Sequence, residues 1–187
     1  PTDDSPASRA QRAAALVALV VHKYAPLPAA SLTYLVRLLG YGAPHLAPQI
    51  QTALRLAKQE LASCQINGTT WYWPADENPA SRRHTPDGAV RLLAPFDPVV
   101  WDRRRFTLLW DWTYKFEAYT PAPQRKLGYY ALPLLWHDRV IGWANVPAPQ
   151  GHMVVNFGYA DKAPQGADFR AALDDELQRM AYFLAAH

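Results

Sequence analysis

From Ala13 onward the apolar positions Ala13, Leu16, Val17, Val20 and Tyr24 recur at the spacing of one helix face, and Pro26 and Pro28 end the run. The preceding residues 1–8, PTDDSPAS, are polar and proline-bearing and read as a linker or frayed end. Leu32, Leu35, Val36 and Leu39 repeat the helical pattern, with Gly40 as the permissive residue past its end. A third run starts near Pro48, a residue suited to a first helical turn, and places Ile50, Ala53, Leu54, Ala57 and Leu61 on one face. In the next stretch, SCQINGTTWYW, Asn67-Gly68 is a strong hairpin signal that puts Cys64, Ile66, Thr69, Trp71 and Trp73 on one side. Three helices and then a hairpin is the element order of a winged helix, expected over residues 9–76; any small α+β domain of the same order is the alternative.

Residues 74–91, PADENPASRRHTPDGAVR, are rich in turn formers, and a connecting loop is expected over 77–91. Beyond it the pattern changes. Lys115 to Tyr119, Gly128 to Leu135 and Val140 to Val146 are β-branched, aromatic or apolar and are separated by turn signals, and Met153 to Gly158 adds a further candidate strand after a turn at Gly151-His152. Phe169, Leu173, Leu177, Met180 and Phe183 or Leu184 form one stripe on a closing helix, with Arg170, Asp174, Asp175, Gln178 and Arg179 outside it. The fold class predicted is α+β: a winged helix, then a small β-barrel-like domain over 92–187 with a C-terminal helix.

Composition narrows the function. Half of the 187 residues are apolar, enough for a core, and the formal charge is only +3, so an anionic partner has to be met by a local patch rather than by an overall field. A single cysteine, Cys64, excludes an internal disulfide framework and a cysteine-based zinc site, which fits a reducing cytoplasm. Ala13 to Val21, the longest apolar run, is too short to span a bilayer, so no membrane association is expected. The six histidines fall at no metal-ligand spacing, and there is neither a Gly-x-Ser-x-Gly elbow nor a phosphate-binding glycine-rich loop; no metal or cofactor is expected.

The cations gather in the second half. Arg82, Arg83, Arg91, Arg103, Arg104, Arg105, Lys115, Arg125 and Lys126 offer material for a phosphate-binding stripe, although Asp97, Asp102, Asp111 and Glu117 are near enough in sequence to pair with some of them. In PFDPVVWDRRR, residues 95–105, an apolar segment runs directly into three arginines, and Asp97 and Asp102 are expected to hold neighbouring cations. TPAPQRKLGYY, residues 120–130, reads as a turn between two strands with Gln124, Arg125 and Lys126 at its tip, either a groove-entering element or a solvated turn guarding a strand edge. The third helix presents Gln49, Gln51, Thr52, Arg55, Lys58 and Gln59, a mixture of amides and cations that suits base edges and phosphates but also an ordinary solvated face. The polar-apolar-polar triplet at Gln65 to Asn67 is accounted for by the hairpin.

RLLAPFDPVVWDRRR, residues 91–105, and EAYTPAPQRKLGYYALPLLWHDRVIGW, residues 117–143, closely resemble the YcaQ/AlkZ-like winged-helix DNA glycosylases. The resemblance implies tandem winged helices and a β-barrel around a basic DNA channel, and hydrolysis of the N-glycosidic bonds of alkylated bases or interstrand crosslinks without a metal. It implies that water is oriented by a Gln-x-Gln or Gln-x-Asp motif in a more N-terminal portion, so no catalytic residue is expected in this chain and it is expected to be inactive alone. It also implies a hairpin in the DNA cleft, for which Gln124, Arg125 and Lys126 are the matching positions. Where relatives commonly read Gly-Arg-x-Asp, this chain has Gly142-Trp143-Ala144-Asn145, and a charge pair is lost.

The expected partner is therefore double-stranded DNA, held by Arg103, Arg104, Arg105, Gln124, Arg125, Lys126, Arg55 and Lys58. A non-catalytic regulator is the alternative, in which Trp101, Trp110, Trp112, Tyr129, Tyr130 and Trp136 line a barrel for a small ligand. A protein-binding scaffold is the third reading.

Overall fold

The computed structural model describes residues 3–147 and 153–185. The chain divides into two compact units, Pro1–Ser81 and Arg82–His187. In the first, α1 (Pro6–Tyr24), α2 (Ala29–Gly42) and α3 (Ala47–Glu60) enclose a core of Val17, Val21, Leu32, Val36 and Ile50, all nearly inaccessible. The strand β1 (Leu27–Pro28) joins the hairpin of β2 (Ala62–Ile66) and β3 (Thr69–Trp73) in an antiparallel sheet of order β1-β3-β2. Asn67 and Gly68 both take positive φ, 48° and 74°, which is the two-residue turn whose twist matches that of the flanking strands. Cys64 faces Trp71 and Ile66 faces Thr69, as the alternation predicts.

Two boundaries differ from expectation. Ser5 caps α1 by accepting the Ser8 amide, and Pro6 stands at the first helical position, so the polar segment is absorbed into the helix from residue 6. Gly40 lies inside α2, which runs on to Gly42.

The second unit is built on an antiparallel sheet of order β4-β5-β6-β7, formed by Val90–Leu92, Ala131–Trp136, Arg139–Asn145 and Asn156–Tyr159. The barrel expected here does not form: among the described residues the sheet is open, with β4 and β7 at its edges. Lys115 to Tyr119, read as a strand, is an irregular segment, and Gly151-His152 lies outside the described residues. The sheet instead has a layer on each face. On one, Phe106, Val100, Tyr114 and Leu93 pack against Ala131 and Val140; on the other, Phe169 of α6 (Ala167–Ala185) packs against Val90 and Leu134. A register shift between Leu134 and Leu135 accompanies this two-sided use of β5.

Glu176, on the inner side of α6, is buried. Its carboxylate accepts the Leu92 amide at 2.6 Å and pairs with Arg179 at 2.7 Å, which ties the helix to the edge strand β4. Gly142 is required by close strand approach, since a Cβ there would fall 2.1 Å from the Gly158 carbonyl oxygen.

Candidate nucleic-acid interface

Two short helices, absent from the sequence reading, organise residues 95–111. Asp97 caps α4 (Pro98–Trp101) by accepting the Val99 amide at 2.8 Å, and Asp102 caps α5 (Arg103–Trp110) by accepting the Arg105 amide at 3.2 Å. Both carboxylates therefore hold backbone at helix starts, a use the sequence reading did not assign to them. Asp111, in the left-handed conformation with φ 50°, ends α5.

The three arginines have different situations. Arg103 is half-buried; its guanidinium donates to the carbonyls of Val100 and, at 2.9 Å, Pro95, and it lies 4.3 Å from the centre of the Tyr114 ring. Arg105 is 4% exposed and donates to the Pro98 carbonyl. These two cations fasten the α4–α5 corner, because a guanidinium's spread donors can collect carbonyls that the short helices leave without partners. Arg104 alone of the three projects into solvent.

The second basic element also departs from its expected form. Gln124 ends a 3-10 turn, Ala122–Gln124, inside an irregular loop rather than at the tip of a two-stranded hairpin. The loop folds around Glu117, a carboxylate only 3% exposed, whose Oε2 accepts the amides of Lys126 at 2.8 Å and Leu127 at 2.7 Å. Burial alone would raise the Glu117 pKa, but the amides of Leu127, Lys126 and Gly128, together with the Lys115 charge, hold it below the usual carboxylate range. Arg125 donates to the Thr120 carbonyl at 2.8 Å and stacks 4.9 Å from the Tyr129 ring centre, while Gln124 and Lys126 are exposed.

Asn145 closes the loop from the sheet side. Its carboxamide donates to the Leu127 carbonyl at 2.7 Å and accepts the Tyr130 amide at 3.2 Å. A carboxylate here would retain the second bond and lose the first, so the asparagine has a direct structural use. Trp143 stacks on Trp112 with centroids 5.8 Å apart and planes at 15°. Gly128 sits between the two tethers with φ +112°, and a Cβ there would meet the Asn145 side chain at 2.5 Å.

Of the aromatic residues proposed to line a ligand-binding barrel, Trp110 and Trp112 pack on Phe106, Trp136 on Phe169 and Tyr130 on Phe116. Phe106 is ringed by Trp110 at 4.8 Å, Trp112 at 5.7 Å and Tyr114 at 5.9 Å, and the Trp110 and Trp136 indoles donate to the carbonyls of Asp138 and Gly88. Burial pushes the Tyr114 phenol up to about 12, against the pull of the Arg103 cation; its hydroxyl donates to the Ala131 carbonyl at 2.7 Å.

In the first unit, α3 exposes Gln51, Thr52, Arg55 and Gln59, and Lys58 donates to the Thr33 hydroxyl at 3.0 Å. Among the described residues no group of three or more His, Cys, Asp or Glu is placed to hold a metal ion, and no helix is long and apolar enough to cross a membrane.

Sequence reasoning missed Glu117 and Asn145 as the residues that shape the basic loop. In the sequence Glu117 reads only as an ion-pair partner, because an acceptor of backbone amides nine and ten residues onward leaves no periodic signal. In a comparison with protein families, a family model described as DNA glycosylase AlkZ-like matches residues 1–183. No solved structure matches the chain.

Proposed function

We propose, because this chain belongs to the AlkZ-like DNA glycosylase family, that it supplies duplex-binding surface to a repair enzyme that hydrolyses the N-glycosidic bonds of alkylated bases or crosslinked nucleotides. The first unit is read as a winged helix, a reading supported by three helices followed by a twisted hairpin on the same small sheet. Within it Arg55 and the amides of Gln51 and Gln59 are the side chains free to meet DNA.

The observation that carries the proposal is the way cations are displayed on fixed backbone in the second unit. Arg104 stands one residue into a capped helix whose flanking arginines are spent on carbonyls, and Lys126 projects from a peptide whose amide is held by Glu117. Such pre-positioned charges lose little conformational freedom of the backbone on meeting phosphate, and each phosphate contact releases counterions. Arg103, Arg105 and Lys58 act in this reading as supports, with Arg104, Gln124, Arg125, Lys126 and Arg55 as contacts. The open sheet and the mutual packing of Phe106, Trp110 and Trp112 give the ligand-binding regulator no comparable support.

The test is duplex binding by the chain, followed by fluorescence anisotropy at two salt concentrations. Affinity should fall steeply with salt, and Arg104→Ala and Lys126→Ala should each lower the salt slope by about 1 while leaving the fold intact. Duplex affinity that is absent at low salt, or insensitive to both substitutions, would refute the proposal.

A further inference from the structure

Beside the Glu117 loop lies a cluster of exposed aromatic rings that duplex contact leaves unused. Phe116 is partly buried against the core of the second unit, and it meets Phe96 at 5.7 Å, Tyr119 at 6.2 Å and Tyr130 at 5.1 Å between ring centres, all near edge-to-face. Three of its neighbours are open to water: Tyr119 is 94% exposed, Phe96 66% and Tyr130 44%. Tyr129, 59% exposed, is the ring on which Arg125 stacks. Exposed rings held to a core by a common hub keep apolar faces in solvent without an evident partner among the described residues.

The charge around the rings says what kind of partner fits. Lys115, Arg125 and Lys126 are carried by the same segment, and the acid among them, Glu117, is buried and engaged by backbone amides. Asp97, next to Phe96, is used as a helix cap. The surface therefore combines aromatic faces with positive charge, most openly that of the exposed Lys126, the pairing by which proteins hold bases by stacking and phosphates by cations when the bases are not stacked in a duplex. A polypeptide partner would have to be acidic and apolar at once, whereas single-stranded DNA carries both features at every nucleotide.

We infer that the Phe96–Phe116–Tyr119–Tyr130 cluster is a stacking platform for unpaired bases of single-stranded DNA, such as the strand opened around a damaged or crosslinked site. The inference rests on the DNA-handling reading above and names a substrate form that reading does not require. Rings supply affinity for the bases without choosing among them, so the platform should accept any short sequence.

The experiment compares three ligands of equal length, about 15 nucleotides, by fluorescence anisotropy with the chain: oligothymidine, a base-less phosphodiester strand, and a duplex. Oligothymidine should bind more tightly than the base-less strand of the same charge. Tyr119→Ala should weaken oligothymidine binding by about 5- to 150-fold and leave the base-less strand unaffected, while Tyr119→Phe should bind as the parent does. Tyr119 is almost wholly exposed, so its substitution does not endanger the fold. Equal affinity for the base-bearing and base-less strands, or an unchanged Tyr119→Ala variant, overturns the inference while leaving salt-sensitive duplex binding intact. Loss of every DNA complex at low salt overturns both readings. Self-association abolished by Tyr119→Ala would assign the cluster to a second copy of the chain and would also overturn it.

Discussion

Replacing Glu117 by alanine removes the carboxylate around which residues 117–130 are wound. Two amides, those of Lys126 and Leu127, then lose a charged acceptor at 2.8 and 2.7 Å. Hydrogen bonds to charged groups are worth about 1.5–3 kcal/mol each. Water reaches part of this loop and recovers some of that, leaving a net loss of about 2–4 kcal/mol. Glu117→Gln keeps the shape and one acceptor oxygen but not the charge, and should cost about 1–2 kcal/mol. The pH dependence separates charge from shape. The folded-state pKa of Glu117 lies below its unfolded value, so its contribution is present above the unfolded value and is lost as pH falls through the lower folded one. The parent chain should consequently lose more stability on acidification than Glu117→Gln. Urea unfolding at neutral pH and in mild acid measures this, and hydrogen exchange of the Lys126 and Leu127 amides locates it. An alanine variant within about 0.5 kcal/mol of the parent, with those two amides exchanging at the parent rate, would refute the reasoning.

Three further outcomes are expected. Asn145→Asp should destabilise the loop by about 1–3 kcal/mol, because a carboxylate oxygen replaces the donor facing the Leu127 carbonyl while the bond from the Tyr130 amide is kept, and urea unfolding at neutral pH would report it. Asp102→Ala should cost about 1 kcal/mol of thermal stability through the α5 cap, while Asp102→Ser, which still caps, should recover most of it. Tyr114 should be among the last tyrosines to ionise, near pH 12, in an ultraviolet titration; since its folded pKa is raised, stability should decline as pH climbs from its unfolded value of about 10 towards 12, and Tyr114→Phe should blunt that decline.

The first unit was legible because its periods are long: three helices with four or more apolar repeats each, and an Asn-Gly dipeptide that admits few turns. The second was legible in its strands and closing helix but not in its closure. Lys115 to Tyr119 has strand composition yet no strand partner, since its residues are spent on a ring cluster and on Glu117. The α4–α5 corner did leave a signal, an Asp-Pro and an Asp three residues before the amide of Arg105, both of them cap patterns. Glu176 also sat in view, three residues after Leu173 and four before Met180 on the apolar stripe, where its burial follows from helical spacing.

Leu127 is bound on both sides of its own residue: its amide to Glu117 and its carbonyl to Asn145, each at 2.7 Å. That double grip divides the loop into a part that is free to vary and a part that is not. Lengthening the chain between Tyr119 and Gln124 leaves residue 127 seated and merely changes what is offered outward, whereas one residue inserted between Leu127 and Tyr130 puts the Tyr130 amide out of reach of Asn145. The segment is thus arranged so that its reach can be re-tailored without refolding the platform that bears it.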